Sequence, residues 1–161
     1  MIRLKRLDPS SYGSVAQLSV LESQVPYVGR ISDLLSNVPN TSDLHAIQHD
    51  HRIVGFFILD TAYSDTYSFS IPGELGLRAF FIDAKHQGRG YGRSACRTLE
   101  PYLSIKYPSY PSIALTVNCK NIAAYKTYVG SGFRDIGELF YGGKAGPQNI
   151  LRMSVQNSNR Q

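Results

Sequence analysis

The sequence has little of what marks metal-binding, secreted or membrane proteins. It contains two cysteines, Cys96 and Cys119, and their positions fit no metal-ligand spacing, so we expect no metal site and no structural disulfide. No apolar run approaches the roughly 20 residues that cross a bilayer. The first residues alternate charged and apolar side chains and carry no signal-peptide core. These absences predict a cytoplasmic protein that makes no membrane contact.

An excess of acidic charge is also missing. Lysine and arginine number 17 against 12 acidic residues, which gives a net charge of +5. A nucleic-acid-binding surface would cluster its basic residues among aromatic ones or carry a recognised module. Here the charges are scattered, and the densest groups lie at residues 3–6 and 85–93. We therefore predict no nucleic-acid partner.

The composition predicts one globular domain over residues 1–155. Of the 161 residues, 42% are hydrophobic and 18% are charged, which is typical of a folded chain with a substantial core. There is no internal repeat or linker, and the polar residues 156–161 are expected to form a disordered tail. The apolar pattern predicts about seven strands and four helices in a mixed α/β sheet covered on both faces.

The N-terminal half carries three local predictions. A helix is expected from Pro9 to about Ser23, because apolar residues recur there at helical spacing. Residues 43–60 predict a β-hairpin, and the histidines at its turn are expected to be exposed rather than metal-bound. Residues 61–72 predict a long loop, which in a compact domain is usually functional or mobile.

A glycine-rich turn between a predicted strand and a predicted helix stands out. The apolar strand ends near Asp83, the turn reads Gln-Gly-Arg-Gly-Tyr-Gly over residues 87–92, and an amphipathic helix follows. This order aims free backbone N–H groups and the positive end of a helix at one point. Glycines leave no Cβ in the way, and Arg89 and Arg93 add positive charge. The pattern predicts a phosphate-binding turn.

The spacing of the glycines narrows the choice among classes of phosphate-containing ligand. A dinucleotide fingerprint needs a glycine where Arg93 stands, and the Gly-Lys-Ser/Thr of a P-loop is absent. Gln87, Gly90 and Gly92 instead match Q/R-x-x-G-x-G, which resembles the acetyl-CoA pyrophosphate loop of the GNAT superfamily of N-acetyltransferases. Taken alone the pattern is weak, because an ordinary tight turn between strand and helix also explains it.

A second motif further along the chain strengthens the resemblance. In the same superfamily the segment after the cofactor loop reads N-x-x-A-x-x-x-Y-x-x-x-G-F. Every fixed position is filled here, by Asn121, Ala124, Tyr128, Gly132 and Phe133. Two independent motifs in the right order are far more specific than either one. The chain from about residue 74 to residue 133 is therefore identified as resembling the GNAT superfamily.

The resemblance implies a fold and a cofactor. It implies a GNAT-like sheet in which a central pair of strands splays apart, so that unpaired backbone can bind the pantetheine arm of acetyl-CoA much as an added strand would. The cofactor-binding residues that it implies are Phe80, Phe81, Ile82, Gln87, Gly88, Arg89, Gly90, Tyr91, Gly92, Arg93 and Asn121. Asn118 is a weaker candidate for cofactor binding, because a structural role in the turn explains it equally well.

The resemblance also implies a catalytic tyrosine. Tyr128 would donate a proton to the departing thiolate, since a phenol with a reference pKa of about 10 stays protonated at neutral pH. Packing of its helix against the sheet is the alternative role. The branch that acetylates protein N-termini has a glutamate where Thr116 stands, and threonine cannot act as a base. Glu74 is the candidate base in place of that glutamate and would act through a water. The alternative is that Glu74 is only a solvated carboxylate at the end of a strand.

The predicted activity is transfer of an acetyl group from acetyl-CoA to the primary amine of a small molecule, by direct attack in a ternary complex. Tyr27 is the predicted substrate-binding residue, in a segment that the fold would bring to the acceptor site together with residues 63–69. Two alternatives stay open: acetylation of a protein lysine or N-terminus, and a non-catalytic module that binds acyl-CoA. The sequence supports a polyamine acceptor only weakly, because no cluster of carboxylates marks a polycation-binding site. A monomer or a homodimer is expected.

Overall fold

The computed structural model describes residues 1–156. The predicted disordered tail therefore lies, except for Gln156, outside the described residues. Seven strands occur in the described part: β1 (Ile2–Arg6), β2 (Ser42–His49), β3 (Arg52–Asp60), β4 (Leu75–Ile82), β5 (Ser112–Asn118), β6 (Arg134–Phe140) and β7 (Gln148–Ser154). The α-helices of the same residues are α1 (Val25–Val28), α2 (Ile31–Leu35), α3 (Tyr63–Thr66), α4 (Tyr91–Lys106) and α5 (Ile122–Gly130). Between residues 1 and 156, no helix is long and apolar enough to cross a membrane.

All seven strands of the described chain form one mixed sheet in the order β1-β2-β3-β4-β5-β7-β6. Neighbouring strands are antiparallel except β4 and β5, which are parallel. A parallel pair needs a crossover connection, and the long helix α4 provides it. The prediction of a mixed α/β sheet is confirmed.

Both faces of the sheet are covered, as strand β3 illustrates. Successive side chains of a strand point to opposite faces, so Phe57 packs in the core under α4 and α5, whereas Phe56 packs in the core under the N-terminal segment. Because both faces are buried, β3 reads as a nearly continuous apolar run instead of an alternating one.

The predicted helix from Pro9 to Ser23 is wrong. The chain forms a 3-10 helix at Pro9–Val15, then turns, and a second 3-10 helix at Glu22–Gln24 leads into α1. The apolar residues of this segment recur at every third position, but only Tyr12 and Val15 lie in the first 3-10 helix, and Leu18 and Leu21 lie between the two. No side chain caps the first turn, although Asp8 stands at the N-cap.

Strands β4 and β5 separate after a short paired stretch. Within the described residues they pair only at Leu75 with Ile113 and at Gly76 with Ala114. Further along β4, the register against β3 shifts, and Ala79 has a positive φ of 53°. A bulge of this kind bends its strand, so the carboxyl ends of β4 and β5 diverge. The predicted splayed pair is confirmed, and the cleft between the two strands is the candidate site.

Candidate active site

Two adjoining cavities meet in the cleft between β4 and β5. The first has a volume of about 440 Å³ and is lined by the glycine turn (residues 87–92), the end of β4 and α5; we call it the glycine-turn cavity. The second, of about 290 Å³, is lined by residues that include Tyr27, Arg78 and Lys144; we call it the loop-side cavity. Tyr128 lines both. Tyr128 therefore lies where the two cavities adjoin.

The backbone of the glycine turn requires glycine. Gly88 and Gly90 have φ values of 81° and 82°, in the left-handed region that side chains disfavour. A Cβ added at either glycine would meet no described atom within 4 Å, so it would project over the open surface of the turn instead of into the protein.

The same turn begins helix α4. Gly90 is its N-cap, and no side chain caps the first turn, so the first N–H groups of this 16-residue helix are left to an outside acceptor. The helix dipole adds positive potential at the same place. An open turn of this form fits the diphosphate of a nucleotide-containing coenzyme.

Gln87 holds the turn in place. Its amide nitrogen donates to the carbonyl of Ile82 at 2.9 Å and to Oε1 of Gln24 at 2.9 Å. The side chain thus ties the turn to the end of β4 and to the segment before α1. Gln87 lines the glycine-turn cavity, and the polar atoms of its side chain are engaged by the protein.

The two asparagines of the second motif region differ in role. Asn121 is the N-cap of α5, where its side chain accepts from the N–H of Ala124 at 3.4 Å, and it lines both cavities. Asn118 is buried; it donates to the carbonyl of Ala145 at 2.9 Å and accepts from the N–H of Lys120 at 2.9 Å. Asn118 also lines the loop-side cavity, and its two described hydrogen bonds are those that a turn role requires.

Tyr128 packs and also faces the junction of the cavities. Its ring makes edge contacts with Phe80 at 5.9 Å and Phe133 at 5.7 Å between centroids. Burial, and to a smaller extent the Cys96 thiol, raises the pKa of Tyr128 well above the usual value for tyrosine. Among residues 1–156 its hydroxyl has no hydrogen-bond partner. The Tyr128 hydroxyl is therefore a neutral hydrogen-bond donor without a protein partner in the described chain, and its side chain lines both cavities.

Comparison with known proteins decides the family. The model of the acetyltransferase (GNAT) family matches residues 14–133, which is most of the chain. The chain belongs to the GNAT family. It is therefore an acyltransferase enzyme, and acetyl-CoA is the donor of this family.

Individual relatives agree with this assignment. The chain is 38% identical to YbbJ of Bacillus subtilis, described as an uncharacterized N-acetyltransferase, over 65% of this chain and 66% of that protein. It is 24% identical to the spermine/spermidine N(1)-acetyltransferase of Bacillus subtilis, over 89% of this chain and 94% of that one. The fold is similar to that of AAC(6')-Ib solved in complex with paromomycin and acetyl-CoA, with a TM-score of 0.77, 16% identity, and coverage of 95% and 93% of the two chains.

The remaining cofactor candidates of this GNAT chain lie in different settings. Phe80, Ile82, Gly92 and Arg93 line the glycine-turn cavity. Phe81 lines it as well, but its ring packs in the core on the other face of the sheet, so its main chain is the part that can bind. Arg89 is exposed and is absent from the described lining of that cavity.

Tyr91 lines the cavity next to a histidine. Its ring lies 4.6 Å from that of His49, and its hydroxyl is 3.3 Å from Nδ1 of the same residue. His49 is therefore only partly exposed, whereas His51 is exposed as expected. Over residues 1–156 there is no group of side chains that could hold a metal ion.

Glu74 is neither solvated nor placed as a base. It is 1% exposed, and it belongs to neither set of described lining residues. The Arg152 guanidinium pairs with its carboxylate, which also accepts from Ser112 at 2.7 Å and from Ser70 at 3.0 Å. Burial opposes ionisation, but these hydrogen bonds outweigh it and hold the pKa of Glu74 below its usual value. The expectation of a solvated strand-end carboxylate is wrong, and no oxygen of Glu74 is free to act as a base.

The loop-side cavity contains residues that sequence reasoning missed. Tyr27 lines it and is 39% exposed, and Tyr63 and Tyr67 come from the segment predicted to face the acceptor. Arg78 and Lys144 were not singled out from the sequence. Arg78 could have been noticed as a charge within an apolar strand, whereas no local signal marks Lys144.

Proposed function

We propose that this GNAT enzyme transfers an acetyl group from acetyl-CoA to the primary amine of a small molecule, by direct attack in a ternary complex. The observation that carries the proposal is the meeting of two cavities at Tyr128. Direct transfer requires donor and acceptor to be held together, and proximity supplies much of the rate.

The glycine-turn cavity would hold the donor. The uncapped N–H groups of α4, the open turn at Gly88 and Gly90, and Arg93 suit the diphosphate. The main chain of residues 80–82 and the side chain of Asn121 lie where the arm of the coenzyme would pass toward Tyr128. Gln87 acts by positioning, since it fixes the turn against Ile82. When bound, acetyl-CoA supplies an activated thioester.

Tyr128 would stabilise the leaving sulfur. Its raised pKa keeps the proton on the phenol before reaction. Because a thiol has a reference pKa of about 8.5, below that of a phenol, the main contribution is a hydrogen bond that strengthens as negative charge develops on sulfur. A free hydroxyl at this place also argues against a module that only binds acyl-CoA, which would need no donor.

The acceptor would enter from the loop-side cavity. A space of about 290 Å³, walled by α1, by α3 and by the loop between β6 and β7, suits a small amine better than a protein surface. The names of a relative and a structural neighbour, a spermine/spermidine acetyltransferase and a complex with paromomycin, also involve small amines. A cytoplasmic location and a monomeric or homodimeric state complete the proposal.

Thermal unfolding with acetyl-CoA, followed by a free-thiol release screen over small primary amines, tests the proposal. A ligand that binds the folded state raises the unfolding midpoint, so acetyl-CoA should raise it, and some small amine should release thiol above the rate of hydrolysis. No midpoint shift at millimolar acetyl-CoA would refute the donor assignment. Release with peptides alone would favour protein acetylation.

A further inference from the structure

The charges that line the loop-side cavity are of one sign. Arg78 on β4 and Lys144 on the loop between β6 and β7 both line it. Its other walls are aromatic, aliphatic or neutral polar residues, and within residues 1–156 no aspartate, glutamate or histidine is among them. The acceptor therefore meets a positive wall.

Arg78 has one loose ion-pair partner, and Lys144 has none within the described residues. Asp60 lies 3.7 Å from the Arg78 guanidinium, which is beyond hydrogen-bond distance, and its other oxygen accepts from the N–H of Ala62 at 2.9 Å. The side chain of Arg78 remains 46% exposed. Lys144 is exposed, and in the described chain it has no ion pair or hydrogen bond. Even with Asp60 counted against Arg78, the cavity keeps a positive charge.

A polycationic acceptor is poorly matched to this wall. Each additional ammonium group of a polyamine would approach Arg78 or Lys144, and Asp60 is the only described carboxylate that offsets part of this repulsion. Tyr27 and Tyr67 could attract one cation through their ring faces, but they cannot neutralise several. The charge of this cavity therefore disfavours a polyamine acceptor, although a relative is named a spermine/spermidine acetyltransferase.

We propose that the acceptor is a small primary amine that also carries a carboxylate, with the carboxylate bound by Arg78 and Lys144. This rests on the proposed function and names its substrate class. A guanidinium matches a carboxylate with paired hydrogen bonds, and a lysine ammonium adds a second charge-assisted contact. The apolar wall, with Leu77, Tyr27 and Tyr67, accepts an aliphatic or aromatic body between the two polar ends. Apolar and aromatic amino acids fit this description.

Matched acceptor pairs test the proposal with the full chain. The probes are phenylalanine and leucine, their carboxamides, which keep the amine and the body, and spermidine. Thiol release should give a kcat/KM at least about tenfold higher for each acid than for its amide. Equal or higher values for the amides or spermidine would overturn the proposal, and so would an absence of turnover with both acids in a protein that still binds acetyl-CoA.

Variants identify the residues that read the carboxylate. Arg78→Gln and Lys144→Gln should each reduce the acid-to-amide ratio of kcat/KM toward one and leave the midpoint shift by acetyl-CoA unchanged. A merely structural defect would lower the values for acid and amide alike, so an unchanged ratio contradicts the assignment. Arg3→Gln, on the exposed edge strand β1, is the control and should keep the wild-type ratio. Loss of the acetyl-CoA shift in the unaltered protein would instead refute the proposed function.

Discussion

The two cavities are built in different ways. The glycine-turn cavity takes most of its lining from residues 80–93, with a second wall from α5, and much of what it offers a ligand is main chain. The loop-side cavity is assembled from side chains of α1, α3, β4, β5 and the loop before β7. One site is specified locally by backbone conformation, the other by tertiary packing of distant segments.

The difference separates what is shared in the family from what is particular to this chain. A diphosphate is recognised by N–H groups and a helix terminus, which any sequence with the right glycines can present. An acceptor is recognised by side chains carried on loops, which vary freely over the same scaffold. Changes in the first cavity should therefore affect every acceptor alike, and changes in the second should alter the preference among acceptors.

Gly90→Asp should give the largest effect. It forces a side chain into a left-handed backbone conformation and places a negative charge at the N-terminus of α4, where the diphosphate is proposed to bind. Acetyl-CoA binding, measured by titration calorimetry, should be lost at millimolar ligand, and activity with every acceptor should disappear.

Gly137→Asp is the matched control. Gly137 has a φ of 84°, and an added Cβ there meets no described atom within 4 Å, but it lies on β6 and outside the described lining of both cavities. It should be destabilised through the same backbone strain and still bind acetyl-CoA. Equal loss of binding in both variants would assign the effect to strain, and retained binding in Gly90→Asp would show that the turn is misassigned.

Glu74→Gln should destabilise the protein and thereby disturb the loop-side cavity. It leaves Arg152 with an uncompensated charge, and breaking a buried pair in this way costs about 3–5 kcal/mol. The pair also holds the segment that carries α3, because Arg152 donates to the carbonyl of Phe69 at 2.9 Å and Glu74 accepts from the N–H of Ile71 at 3.2 Å. The acceptor KM should rise while acetyl-CoA affinity stays unchanged. Urea unfolding and steady-state kinetics measure the two effects.

The same pair predicts an acid sensitivity. The pKa of Glu74 is depressed in the folded state, so its contribution is fully present above the ordinary glutamate pKa of about 4.3 and is lost as pH falls through the lower folded value. The Gln variant should lack this part of the pH dependence of stability. A Gln variant of normal stability whose kcat falls with no change in acceptor KM would return Glu74 to the role of base.

Tyr128→Phe should lower turnover by about 100-fold or more, since loss of one hydrogen bond donor to a developing negative charge costs that much. The acetyl-CoA affinity and the unfolding midpoint should change little, because the ring contacts with Phe80 and Phe133 remain. Tyr125→Phe, on the same helix, is the control; its hydroxyl donates to Asp135 at 2.8 Å at the exposed surface, and its turnover should match the wild type. Unchanged turnover in Tyr128→Phe would remove that residue from the mechanism.

The contrast between the cavities also explains what could be predicted from sequence. The glycine turn and Tyr128 lie in local motifs, and the apolar runs predict the sheet and the long helices, because these depend on near neighbours in the chain. The partner of Glu74 is Arg152, 78 residues away, and no local sequence pattern predicts this pairing. The helix prediction after Pro9 failed for a different reason, because apolar residues at every third position also fit one face of an α-helix.

Thr116→Glu should give the smallest effect and acts on the acceptor side alone. Thr116 is a half-buried residue of β5 that lines the loop-side cavity, so a carboxylate there offsets part of the charge of Arg78 and Lys144. The acid-to-amide ratio of kcat/KM should fall by a few-fold to about tenfold, in line with partly screened charges at a surface cavity. Thr116→Gln controls for side-chain size and should leave the ratio near the wild-type value. Because acetyl-CoA affinity should stay the same in both, a parallel loss of donor binding would show that the two cavities are not energetically separate.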